Sequence, residues 1–123
     1  MKRILVVDDA ATVRMYHRAI LEGAGYAAEE ALNGIEALEK ALRDPFDLYL
    51  VDVNMPKLDG YGFLRELRAE AIPQAPAIIV STEAASHDRS LAYRAGANGY
   101  LIKPIKPERL LRYVRLILGE ARP

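Results

Sequence analysis

Apolar residues fall along this chain in two alternating rhythms: short runs rich in branched and aromatic residues, and longer stretches where they recur three or four positions apart. The runs predict strands at about residues 3 to 8, 26 to 30, 47 to 52, 77 to 81 and 98 to 102, with a helix in each gap and one after the last strand. In the first helix Val13, Tyr16, Ile20 and Leu21 share a face, Ala11 or Thr12 lies near the start, and Gly23 and Gly25 supply the stop before Tyr26. The second runs from about Ile35 to Arg43, with Ile35, Leu38, Ala41 and Leu42 inward and Pro45 barring its continuation. Asp59-Gly60 opens the third, whose stripe is Phe63, Leu64 and Leu67, and Pro73 and Pro76 separate it from the fourth strand. Leu91, Ala92 and Ala95 line the fourth helix, which Gly96 ends; Leu110, Leu111, Val114, Ile117 and Leu118 line the fifth.

Strict alternation of this kind predicts an α/β fold: a doubly wound (βα)5 parallel sheet with right-handed crossovers and helices on both faces. Tyr26-Ala27-Ala28-Glu29-Glu30 is the least apolar strand and suits an edge. At 123 residues, with no internal repeat, low-complexity tract or linker, the chain reads as one domain over 1–123, and Glu120-Ala121-Arg122-Pro123 reads as a fraying end.

Composition narrows the function. Lys+Arg and Asp+Glu number 17 each, so no electrostatic excess favours nucleic acid or an anionic membrane. The lack of cysteine removes disulfides, thiolate metal sites and thiol nucleophiles together, and His17 and His87 lie far apart in sequence. Met1-Lys2-Arg3 leads into an apolar run of four residues, shorter than a signal-peptide core or a membrane span, so a soluble cytoplasmic protein without membrane insertion is expected.

Three of the apolar runs end in charged residues suited to phosphate chemistry: Ile4 to Val7 in Asp8-Asp9, Leu48 to Val51 in Asp52, and Tyr100 to Ile102 in Lys103-Pro104. Parallel strands would bring these ends together at one sheet edge, where open α/β folds bind ligands. Three carboxylates so placed oppose one another's ionisation unless a cation sits among them, and an all-oxygen donor set selects Mg²⁺ over zinc or copper. A carboxylate at the end of a strand can attack an activated phosphorus once the repulsion is neutralised. Asp52 alone could equally cap a βα loop, and Asp8-Asp9 alone could be an N-cap pair.

Together, Asp8-Asp9, Asp52-Val53-Asn54-Met55-Pro56 with Asp59-Gly60, Ser81 and Lys103-Pro104 resemble the receiver domain of bacterial two-component response regulators, most closely the single-domain chemotaxis-regulator type. The resemblance covers essentially the whole chain in order and spacing. It implies a flavodoxin-like strand order, 2-1-3-4-5, and a signalling phosphoacceptor in place of a conventional enzyme. Asp52 would be the phosphoacceptor and, with Asp9 and the backbone carbonyl of Asn54, a Mg²⁺ ligand. Asp8 would act mainly through water. Lys103 and Ser81 would contact phosphoryl oxygens, Pro104 would follow a cis peptide, and Tyr100 would be an aromatic switch that moves inward, although half-buried sheet packing would also explain it. Asn54 and Glu83 would tune phosphoryl lifetime. Thr82 and Ile105 depart from the family's usual alanine or glycine and phenylalanine, and a branched Thr82 is expected to slow both phosphotransfer and hydrolysis.

Tyr93 on the fourth helix and Arg112, Tyr113 and Leu116 on the fifth fall off the core stripes, and with Tyr100 they make a candidate partner face. The expected role is a stand-alone switch, phosphorylated by a sensor histidine kinase or a histidine phosphotransfer protein, that binds a downstream target such as a flagellar motor switch. Relay to another histidine phosphotransfer protein is the alternative. Two readings from other classes are an aspartyl-phosphate phosphatase, whose usual Asp-x-Asp pattern is absent from Asp8-Asp9-Ala10, and a phosphorylation-independent interaction module.

Overall fold

The computed structural model describes residues 1–120, so the expectation for Ala121, Arg122 and Pro123 lies outside the described residues. Five strands alternate with five helices: β1 (Arg3–Val7), α1 (Ala11–Gly23), β2 (Ala27–Ala31), α2 (Gly34–Arg43), β3 (Leu48–Asp52), α3 (Gly60–Ala69), β4 (Ala77–Ser81), α4 (Ser86–Ala95), β5 (Gly99–Ile102) and α5 (Pro107–Ile117). All pairings are parallel, in the order β2-β1-β3-β4-β5, and the polar strand β2 is an edge as its composition predicts.

Side chains on a strand point alternately to the two faces, so each strand feeds two cores. Leu5, Val7, Tyr49, Val51, Ala77 and Ile79 pack with α2, α3 and α4, while Ile4, Val6, Leu48, Leu50, Ile78 and Val80 pack with α1 and α5. Both faces being covered, β3 and β4 are apolar without alternation until they reach the edge where Asp52 and Ser81 stand.

The helix faces differ from the apolar stripes in three places. On α1 the buried residues are Arg14, His17 and Leu21, and Tyr16 is 46% exposed. That helix lies over the polar edge strand, and Arg14 on its inner face bonds to Glu30 there and to the Asp8 carbonyl. On α2 Ala37 and Ala41 with Gly34 face inward, and Ile35 and Leu42 are exposed; small residues let the helix approach its neighbour, where Gly34 N–H donates to the Leu58 carbonyl at 3.1 Å. On α4 the buried stripe is Ala92 and Ala95, with Leu91 outside.

Helix ends follow local chemistry. Asn33 accepts from Glu36 N–H while the Glu36 carboxylate accepts from Leu32 N–H, and Asp59 accepts from Gly62 N–H to start α3. Gly96 closes α4 at φ 113°. At that end Arg68 of α3 donates to the carbonyls of Gly96 and Ala75 and to the side chains of Gln74 and Asn98, tying α3, β4 and the α4–β5 turn together.

The start of α3 also sets the site. A Cβ on Gly60 would stand 2.4 Å from the Asp52 carbonyl oxygen and 3.1 Å from Val51 Cγ1, so only glycine lets the helix begin against the end of β3. Gly60→Ala is expected to cost about 1–3 kcal/mol in urea unfolding, the range for overpacking.

Candidate functional site

The ends of β1, β3, β4 and β5 meet at the carboxyl edge of the sheet. Val7 lies opposite Val51, Asp52 opposite Val80 and Ser81 opposite Ile102, so Asp8, Asp52, Ser81 and Lys103 leave neighbouring strands at similar height. Lys103 Nζ donates to Asp52 Oδ1 at 2.7 Å and to Asp8 Oδ2 at 3.0 Å. One carboxylate oxygen from each of Asp8, Asp9 and Asp52 lies within 4.8 Å of the others. Asp8 and Asp52 are buried and Asp9 is exposed.

Asp8 is held on every side. Its N–H donates to the Ala31 carbonyl, its Oδ1 accepts from Ala10 N–H at 2.9 Å, and its Oδ2 takes Lys103. The turn to Ala10 is what lets two consecutive acids face one cleft. Asn54 is exposed in the loop after β3. Lys103 N–H donates to the Ser81 carbonyl at 2.8 Å, and the Lys103–Pro104 peptide is cis.

Ser81 is buried, and its Oγ accepts from Glu83 N–H at 3.0 Å, which leaves its proton for another acceptor. The Glu83 carbonyl in turn accepts from the Tyr100 hydroxyl at 2.7 Å. Tyr100 therefore differs from the expectation of a ring that waits outside: it is 5% exposed, already inward, with the Arg89 guanidinium 5.3 Å above its ring. The Glu83 side chain itself is exposed.

Burial weighs most on Asp52 and lifts its carboxyl above the ordinary carboxylate range; Lys103 opposes the shift, and Asp8 and Asp9 add to it. Burial also disfavours the Lys103 ammonium, but its bonds to Asp52 and Asp8 outweigh that and hold it above the ordinary lysine range. The two shifts are compatible. Lys103 sees mainly anions, whereas Asp52 sees one cation and two like charges. Hard oxygen donors with uncancelled negative charge fit a Mg²⁺ ion.

Sequence reasoning missed His17. It is buried in α1, and burial is the main cause that lowers its pKa from the ordinary 6.5; Asp8 raises it and Lys103 lowers it further. His17 also lines an apolar cavity of about 250 Å³ with Val13, Tyr16, Thr82, Lys103 and Ile105. Thr82 is exposed and Ile105 buried there. The expected partner face is only partly a surface. Tyr93 and Leu116 are exposed, as is Arg112, but Tyr100 is buried. Tyr113 is half-buried over Gly99, where any Cβ would strike its ring.

A sheet of this order is a flavodoxin-like α/β domain, and the acidic, lysine-bridged cleft at its carboxyl edge has the oxygen donors that suit a hard cation. The chain belongs to the response regulator receiver domain family, whose profile it matches over residues 4–115. Members of this family accept phosphorylation on an aspartate with Mg²⁺. The transcriptional regulatory protein ResD of Bacillus subtilis is 36% identical over 97% of this chain and 49% of its own length. Chemotaxis protein CheY4 of Vibrio cholerae is 35% identical, with a TM-score of 0.90 over 95% of this chain and 98% of that one. The receiver domain of sensor histidine kinase PA1611 from Pseudomonas aeruginosa, solved with a magnesium ion coordinated in the active site cleft, is 34% identical, with a TM-score of 0.89 over 96% of this chain and 98% of that one. The chain spans about half the length of curated relatives such as ResD, or less. Among the described residues no helix is long and apolar enough to cross a membrane.

Two stability effects follow from these shifts. Because Asp52 is disfavoured as an anion, Asp52→Asn should melt above wild type without divalent ions, and the gain should shrink as Mg²⁺ is added. In the window below 6.5 the folded state binds fewer protons at His17 than the unfolded chain does, so stability falls as pH drops through it; His17→Gln should flatten that part of a Tm-against-pH profile.

Proposed function

We propose that Asp52 is the phosphoacceptor of a phosphorylation switch that takes its phosphoryl group from a phosphohistidine on a sensor kinase or a histidine phosphotransfer protein. The observation that carries this reading is Lys103 bridging Asp52 and Asp8 beside the exposed Asp9. An Asp52 carboxylate oxygen attacks phosphorus, the P–N bond breaks, and its electron pair stays on the imidazole nitrogen. Asp9, Asp52 and the Asn54 carbonyl would hold Mg²⁺, with Asp8 acting through water; the ion would offset charge between the carboxylate and the incoming phosphoryl oxygens. Lys103 would follow a phosphoryl oxygen, and Ser81 has the free proton to donate to one.

Phosphorylation adds about 1.5 to 2 negative charges. Engagement of Ser81 would favour the arrangement in which the Glu83 backbone, through its N–H and its carbonyl, joins Ser81 to the inward Tyr100, and this would bias the surface of α4, β5 and α5. Driving such a two-state element from 1:99 to 99:1 takes roughly 5.5 kcal/mol of differential interaction. Tyr93, Arg112 and Leu116 are the exposed groups there for a target protein, and the likeness to CheY4 supports a chemotaxis target such as a flagellar motor switch. Nearly equal likeness to a kinase-borne receiver supports relay to a histidine phosphotransfer protein as the second reading. Asn54 and Glu83 tune the lifetime of the acyl phosphate, and the domain assists its own dephosphorylation.

Incubation with Mg²⁺ and a small acyl-phosphate donor should add one phosphoryl mass to wild type and none to Asp52→Asn, with no addition after Mg²⁺ is chelated. Modification of Asp52→Asn to the same extent would overturn the assignment. Thr82→Ala should speed both phosphotransfer and loss of the acyl phosphate; an unchanged lifetime removes Thr82 as a barrier.

A further inference from the structure

Two arginines of α1 converge on one carboxylate of the edge strand. Arg14 Nε donates to Glu30 Oε1 at 2.7 Å, Arg18 Nη1 donates to Glu30 Oε2 at 2.9 Å, and Lys40 donates to the Glu30 carbonyl. Arg18 is a surface residue that also pairs with Glu22. Arg14 is buried, and its Nη1 reaches away from Glu30 to donate to the carbonyl oxygen of Asp8 at 2.8 Å. A single guanidinium thus joins an ion pair on β2 to the backbone of the acidic cleft.

Because the peptide unit is planar, the direction of a carbonyl fixes the plane of the amide that follows. Holding the Asp8 carbonyl therefore sets the direction in which Asp9 leaves the strand. Asp9 has little else to place it: the residue is exposed, and among the described residues no hydrogen bond holds its carboxylate. Asp8 is fixed at its N–H and at both carboxylate oxygens, and Asp52 is fixed by Lys103.

We infer that Arg14, oriented by Glu30, is a positioning residue for the divalent-cation site: by holding the Asp8 carbonyl it keeps Asp9 where its carboxylate meets those of Asp8 and Asp52. The inference rests on the reading of this cleft as a Mg²⁺ site. A guanidinium suits the task because its fork is planar and can serve two acceptors in fixed directions. If Arg14 were only a staple between α1 and β2, its loss would lower stability and leave the folded protein's affinity for metal unchanged.

The test titrates Mg²⁺ alone, without phosphodonor, into the full chain and reads Kd from amide chemical shifts, with thermal melting recorded alongside. Arg14→Gln should weaken Mg²⁺ binding roughly tenfold, the lower end of what the loss of an outer-sphere partner costs. Glu30→Gln should weaken it by a smaller factor, since an amide oxygen still receives Arg14 Nε. Arg18→Gln removes a bond to the same carboxylate without touching Asp8, and should leave Kd at the wild-type value even if it lowers Tm. Wild-type affinity in Arg14→Gln, or an equal loss in Arg18→Gln, overturns the inference. Should Arg14→Gln fail to fold, unchanged affinity in Glu30→Gln overturns it instead. Failure of the wild-type chain to bind Mg²⁺ removes the cation site itself, an outcome distinct from failure of the positioning role.

Discussion

The ammonium of Lys103, shared between Asp52 and Asp8, is the interaction on which the rest of this domain is organised. Three carboxylates crowd one edge of the sheet, two of them buried, and a single lysine faces them. Removing an ion from water is costly, and a pair offsets that cost only when its geometry is good and its other hydrogen-bonding positions are filled. Asp8 meets that condition through Ala10 and Lys103. Asp52 does not, and its carboxyl is correspondingly displaced toward the protonated form. The fold carries this residual repulsion because the two cores beneath the edge are apolar and buried.

The same lysine links the charge cluster to the hydroxyls beside it. Its backbone N–H is tied to the Ser81 carbonyl, while the Ser81 side chain receives the Glu83 N–H. From there the Glu83 carbonyl receives Tyr100. Ser81 and Glu83 therefore connect the Lys103 backbone to a buried aromatic ring through three hydrogen bonds.

Much of the architecture was legible because the strands announce themselves twice, by apolar runs and by the charged residue that ends each of three of them. Asp8, Asp9, Asp52 and Lys103 were readable for that reason: parallel strands leave their carboxyl ends no other place to go. Helix faces were read less well. Counting apolar residues put Tyr16, Ile35, Leu42 and Leu91 inside, whereas the chain turns Arg14 and His17 inward on α1 and alanines inward on α2 and α4. Close helix approach rewards small residues, and a polar sheet edge rewards residues that bond to it; neither signal is carried by hydrophobicity. Arg14 escaped notice because its partner Glu30 lies 16 residues away, with nothing in the spacing to join them. The inward ring of Tyr100 depends on a carbonyl in the β4–α4 loop that sequence pattern does not place.

Arg68 anchors one end of α4 far more heavily than the other end is anchored. Its guanidinium holds the carbonyl of Gly96, where the helix stops, and braces it against Ala75 and Asn98. The opposite end emerges from the exposed residues Thr82 to His87, beside the acidic cleft. At about 1.5 Å of rise per residue the helix carries these two anchorages to opposite edges of the sheet: a five-donor guanidinium with several acceptors at Gly96, and at the start single hydroxyl bonds, from Tyr61 to the Asp88 carbonyl and from Tyr100 to the Glu83 carbonyl.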